Sequence, residues 1–460
     1  MPAALGFSLT EAVYTAFLPY LGGAVGPTRR RLGAAMRFAV PLALVVGGGY
    51  AIVVVAVQPN DIGVWLAFAG LVTAQPLAGV YAAYFTAQRR YALATLRVPF
   101  ITAVAFVSAL VLLSFWGSIT AIAVAFSVGY LAQLVLLAAL ERRRPAPSGE
   151  AAPSPGLRIL GPAGSVFLAT LVGGQLVVLV ERVLASTLPT GSVTLLVNAR
   201  GFVLVAAMAA MALGSGVFPA ANERFRELGR AGLADLALTA VRLGTLIALV
   251  SAAYVAICRR ELLEVVLQRG KFSSSNTTET ARLIAIMAGS LLGVSVSAVA
   301  GKALFGVGRQ RFVAIASGAG VVLYVAAAVG LREVWGVEGL AAAFLISSLV
   351  TGAVLATALA LMLALPVGAV LRDWVAAPLG FASVFALAVG GVWLLIGRPT
   401  EGVPAAIATL VATAAAGLAA LVVALVAVRS REYELVRGAF HHRGLAPPLT
   451  PGNRRASMRA

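Results

Sequence analysis

Long runs of apolar residues recur from one end of the chain to the other, separated by short polar or basic connections. Most runs reach 18 residues or more, enough for a helix to cross about 30 Å of hydrocarbon. Backbone polar groups in lipid must be satisfied within the segment, so such runs form helices. The strict alternation of a membrane β-barrel is absent. Thirteen spans are predicted, at 7–26, 35–57, 62–86, 94–115, 117–140, 159–186, 192–220, 233–257, 279–305, 310–331, 336–365, 372–397 and 402–428. The expected fold is an all-α polytopic membrane protein.

The connections sort by charge. Arg29-Arg-Arg31, Arg89-Arg90, Arg142-Arg-Arg144 and the Arg224, Arg226, Arg230 group fall on every second connection. Between them lie Gln58-Pro-Asn-Asp61, without a basic residue, and 115–118 and 187–191, without any charge. Basic connections gather on the cytoplasmic side. The basic tail, 429–460, falls on that side, and the expected location is the inner (plasma) membrane with a cytoplasmic C-terminus. Arg259, Arg260, Arg269 and Lys271 break the rule by falling outside.

A repeat at an offset of about 200 to 220 residues is also visible. Ala16-Phe-Leu-Pro19 precedes one arginine group as Gly216-Val-Phe-Pro219 precedes another. Tyr84-Phe-Thr-Ala-Gln-Arg-Arg-Tyr91 parallels Leu304-Phe-Gly-Val-Gly-Arg-Gln-Arg-Phe312. The expected organisation is a first lobe at 1–141, a Pro- and Ser-rich cytoplasmic linker at 142–158, and a six-helix second lobe at 159–365. Two further helices lie at 372–428.

Composition agrees with the pattern: 60% of the 460 residues are hydrophobic, 11% are charged, and the mean hydropathy is +0.97. The net charge of +18 resides in short loops and the tail, which argues for membrane anchoring and against nucleic acid. No basic n-region of a secretory signal precedes the first apolar run. A lone Cys258 excludes an internal disulfide and a cysteine metal cluster, and His441-His442 reads as a solvated pair. No metal or cofactor is expected. Gly301-Lys302 lacks the upstream glycine of a phosphate loop, and no nucleophile, zinc or paired-carboxylate motif occurs, so the chain is not read as an enzyme.

Charges inside spans cost about 2.5–3.5 kcal/mol on insertion scales and usually face a watery cavity. Arg200, in Asn198-Ala-Arg200, lies deepest. It reads either as an anion site, through bidentate guanidinium hydrogen bonds, or as a snorkelling or helix-pairing arginine. Lys302 reads as a substrate contact or as a helix-end lysine near the cytoplasm. Glu11 either faces a cavity or caps the first helix. Glu181-Arg182 is expected to form an interfacial ion pair, and Gln75-Pro76 and Gln175 to bridge helices.

The stretch Val180 to Val193, followed by Asn198-Ala-Arg200 and Val217-Phe-Pro219, resembles the seventh-to-eighth helix region of the MurJ/MviN lipid II flippases. Leu267-Gln-Arg-Gly-Lys-Phe272 is similar to that family's outer-loop signature, which would account for the misplaced basic loop. Glu11 to Pro19 is similar to the end of its second helix. The resemblance implies a MATE-like fold of two six-helix lobes around a central cavity, with two final helices forming a groove. It implies transport of undecaprenyl-pyrophosphate-linked peptidoglycan precursor to the outer leaflet, and of the family's cavity arginines Arg200 is the one matched here. The expected mechanism is alternating access, with Arg200, Asn198, Glu11 and Lys302 as candidate substrate contacts. The lipid tail would lie along 372–428. Implied partners are the anionic lipid-linked substrate, membrane lipids and a coupling ion. The family's first helix, with two cavity arginines, has no counterpart, and Leu5-Gly6 stands where the family has a further arginine. Alternatives are an exporter of another polyprenyl-linked glycan, a MATE-type small-molecule antiporter, and a non-transporting cell-wall scaffold.

Overall fold

The computed structural model describes residues 13, 14, 17, 20, 21, 29–57, 62–88, 90–116, 119–142, 162–268, 272–396 and 402–428. Among the described residues every regular element is helical. In order these are α1 (Arg29–Val57), α2 (Ile62–Ala87, interrupted only at Phe68), α3 (Tyr91–Trp116) and α4 (Ile119–Arg142). There follow α5 (Pro162–Ser186), α6 (Ser192–Ile257), the short α7 (Arg259–Val266), α8 (Ser274–Ala288) and α9 (Ser290–Gly306). The last are α10 (Gln310–Met362), α11 (Val367–Ile396) and α12 (Val403–Ala427). Among the described residues eight helical stretches are long and apolar enough to cross a membrane, or nine if α8 and α9, bent by 43° at Gly289, make one span.

Two of these elements are folded double. At 53 residues, α10 would be about 80 Å long if straight, more than twice the hydrocarbon thickness. It instead reverses at Gly336, whose φ of 57° and ψ of −126° only glycine adopts readily. The arms 310–335 and 337–362 then pack so closely that a Cβ on Gly339 would lie 2.2 Å from the Leu331 carbonyl oxygen. Likewise α6 reverses at Gly229, with φ 64°, and Arg224 on one arm meets Asp235 on the other at 3.5 Å. The connection expected between 220 and 233 is therefore helical except at one residue. Arg29 to Arg31, expected in a loop, begin α1.

The two related connections share hydrogen bonds as well as sequence. Arg90 N–H donates to Phe85 O, and Arg309 N–H to Leu304 O, both at 2.9 Å. The next turn starts alike, from Leu93 N–H to Arg90 O and from Phe312 N–H to Arg309 O.

Helices α1 to α4 pack among themselves, as do α5 to α12. Residues of both groups join one buried cluster at the end carrying the basic connections. It includes Phe17, Leu32, Phe85 and Leu137 from the first group, and Val217, Leu304, Leu359 and Trp374 from the second. At the opposite end the cores separate: one holds Leu196, Ile284, Tyr324 and Leu340, another Leu71 and Val72. Apolar side chains such as Leu44, Val45, Phe106 and Val135 point outward, as lipid contact requires.

Glu141, expected at the end of the first lobe, is buried and forms an ion pair with Arg29 at 3.0 Å, while Arg142, expected to open the linker, still belongs to α4. Residues 143–158, the remainder of the expected linker, residues 159–161 and the tail from 429 lie outside the described residues, as do Glu11 and Arg269 to Lys271.

Candidate functional site

Arg200 sits on the first arm of α6, in the half of the second group away from the basic end. The turn at 187–191 lays this arm against α5, bringing Glu181 opposite it. Arg200 Nη1 contacts Glu181 Oε2 at 2.5 Å. The same oxygen accepts from the Tyr324 hydroxyl at 3.2 Å. The guanidinium lies over the Phe344 ring, 4.3 Å from its centroid. Both arms of α10 thus contribute, Tyr324 from one and Phe344 from the other.

A guanidinium has five N–H donors, and Glu181 occupies one side of this one. None of the Arg200 nitrogens is both buried and without a partner, and its side chain keeps 13% of its surface. Charge pairing and the ring contact lower the cost of holding an arginine at this depth.

The expected pair between Glu181 and Arg182 does not form. Consecutive helical residues point about 100° apart. Glu181 faces α6, while Arg182 rotates away and leaves its Nε buried without a partner. Asn198 is two positions from Arg200, about 200° around the same helix, so the two side chains do not share a face. Lys302 is remote from this cluster. It sits near the C-terminal end of α9, in the basic-end half, with Nζ 5.3 Å from the Tyr14 ring centroid. Glu11 and Leu5-Gly6 lie outside the described residues, and so does the Gln175 side chain. Gln75 is buried within α2 beside Pro76.

Three further polar contacts join α11 and α12 to α6 and α7. Asp373 accepts from Arg242 at 3.5 Å and from Arg372 at 3.0 Å, where α11 widens into a π turn over Leu371–Ala376. At the other end Trp393 Nε1 donates to Glu261 Oε1 at 2.8 Å, and the Tyr254 hydroxyl donates to Leu410 O at 2.9 Å. Arg242 lies within the span expected at 233–257, so the same rule that singled out Arg200 would have found it. Glu261 gave no such signal, because its segment reads as an exposed basic loop.

Among the described residues no cluster of metal-ligating side chains occurs. The family model for lipid II flippase MurJ matches residues 71–413. Among curated proteins none matches this sequence. A solved MurJ in an inward closed conformation is similar over 93% of this chain and 98% of its own, with 13% identity and a TM-score of 0.60. An outward-facing multidrug resistance MATE family transporter of the MOP superfamily matches over 79% of this chain and 84% of its own, at 14% identity and a TM-score of 0.63. A MOP superfamily transporter from Pyrococcus furiosus matches over 79% and 85%, at 11% identity and 0.63. At these identities the solved structures show a shared fold. The family match covers most of the chain and the core of both helix groups, including the Arg200 cluster: this protein is a multi-pass membrane protein belonging to the MurJ lipid II flippase family.

Proposed function

We propose that this chain moves undecaprenyl-pyrophosphate-linked peptidoglycan precursor from the inner to the outer leaflet of the cytoplasmic membrane by alternating access. The observation that carries the reading is Arg200: a guanidinium inside an apolar bundle, held by Glu181 and Phe344, with donors left over. A pyrophosphate crossing the membrane needs compensating charge, and a guanidinium fork matches phosphate oxygens with two hydrogen bonds. The headgroup takes the free side of the fork while Glu181 keeps the other side in register. Asn198, Glu11 and Lys302 remain proposed secondary contacts, with Lys302 acting from the opposite half.

The two helix groups are the two rocking lobes in this reading, at 1–141 and 159–365. The basic connections and the tail face the cytoplasm by the positive-inside rule. The shared core at that end then closes the cytoplasmic side, and the separate cores at the other end correspond to an outward-facing state. The lipid tail follows 372–428, where Leu387, Leu395, Val411 and Leu418 stand exposed. With no nucleotide motif in the sequence, the drive is the membrane potential or a coupled ion.

The test is translocation of labelled lipid II in proteoliposomes. Arg200→Ala is expected to abolish transport, and Arg200→Lys to leave a small fraction because an ammonium lacks the planar fork. Wild-type transport by Arg200→Ala protein of unchanged fold would overturn the assignment. Equal transport of a neutral polyprenol would do the same.

A further inference from the structure

Glu261 is the buried acid that the transport reading leaves unused. It lies in the first turn of α7, only 3% exposed, enclosed by α12, α8 and the end of α6. Oε1 accepts the Trp393 indole N–H, but Oε2 is sealed from solvent and has no hydrogen-bond partner. Among the described residues no cation lies within ion-pairing distance. Its neighbours on α7 are otherwise engaged: Arg259 donates to the Ala256 carbonyl, and Arg260 pairs with Glu264 at 3.4 Å.

The surrounding elements supply little charge. Helix α12 and the α11 segment 377–396 contain no titratable side chain. From α6 the acid sees only the Tyr254 hydroxyl and the Cys258 thiol, which are themselves held by Leu410 O at 2.9 Å and Thr413 Oγ1 at 3.6 Å. From α8 the charged residues are Glu279 and Arg282, both exposed. An ionised carboxylate half-solvated by one indole N–H in such a place carries a large desolvation cost, and a proton on Oε2 removes it.

We propose that Glu261 is a proton-binding site at the face opposite the basic connections, and that its protonation loosens the hold of this face on α11. A metal cation is a poor occupant, because a hard cation takes several oxygen ligands and this site offers one free oxygen. A proton needs only that oxygen. Protonation converts a charge-assisted indole–carboxylate hydrogen bond into a weaker neutral one. That bond is the polar tie between α7 and the outer end of α11, beside the apolar contact of Cys258, Phe385 and Val389. Proton occupancy would thus be read by the helix pair that the transport reading assigns to the lipid tail. The proton site itself does not rest on that reading.

The test uses the full chain in lipid nanodiscs without substrate. Infrared difference spectra across an acid-to-neutral titration read the carbonyl band of a protonated carboxylic acid. The wild type is expected to gain a buried-acid band as pH falls, and Glu261→Gln to lose it. Trp393→Phe removes the hydrogen bond to Oε1, so the same band should move in frequency. A band unchanged in Glu261→Gln, no band in the wild type, or a frequency unmoved in Trp393→Phe overturns the proposal. Because no substrate is present, each of these outcomes leaves the flippase assignment untouched.

Discussion

Arg200 and Glu181 meet at 2.5 Å across the α5–α6 hairpin, with Tyr324 and Phe344 closing over the pair from the two arms of α10. Three sequence-distant side chains thereby fix one guanidinium within the bundle. The pair separates two roles that a single substitution would confuse: compensating a buried charge, and presenting donors to an anion.

Removing one partner of a buried ion pair typically costs about 3–5 kcal/mol, whereas replacing both by apolar groups is often neutral. Arg200→Leu and Glu181→Leu should each lower thermal stability in detergent, while the double variant recovers most of it. Transport should fail in Arg200→Leu and in the double variant alike. Thermal unfolding paired with a lipid II translocation assay reads both, and restored transport in the double variant would remove Arg200 from the substrate path.

Gly336 sets the reversal of α10 at φ 57°, and the close pass of Gly339 against Leu331 leaves no slack beside it. Gly336→Ala should destabilise the protein by about 1–3 kcal/mol, the cost of a non-glycine residue in such a backbone region. Gly330→Ala, a few residues away with open space at its Cβ, should be near neutral. Melting temperatures of the two variants make the comparison.

Asp373 holds Arg242 and Arg372 together at the π turn of α11. Asp373→Asn keeps the shape but removes the carboxylate charge opposite a largely buried guanidinium. Amide hydrogen exchange over 371–376 should accelerate at least several-fold, since this contact anchors α11 to α6. Exchange in α8 and α9 should stay as in the wild type.

Lys302 sits over the Tyr14 ring and links α9 to the residues preceding α1. A cation–π contact of this kind contributes about 0.5–1 kcal/mol. If it favours the state closed at the basic end, Tyr14→Leu should raise the rate at which a cysteine placed at Ala303 is alkylated from that side. A rate unchanged or lowered would show that the contact does not bias the two states.

The sequence by itself determined the membrane class and the all-helical fold, because hydrocarbon thickness and unsatisfied backbone groups leave helices as the only solution for such apolar runs. It placed Arg200 within a span for the same reason. Other features depended on three-dimensional approach. Glu181 was paired on paper with its neighbour Arg182, yet a helix turns adjacent residues apart and the true partner stood 19 positions away. Connections read as loops closed to single glycines at 229 and 336, since hydropathy registers where polarity rises and not how tightly the backbone can reverse. Glu261 lies in a segment whose arginines read as an outer basic loop, and only the approach of α12 and Trp393 buries it. Periodicity records which residues leave water; only packing decides which polar groups meet once they have left it.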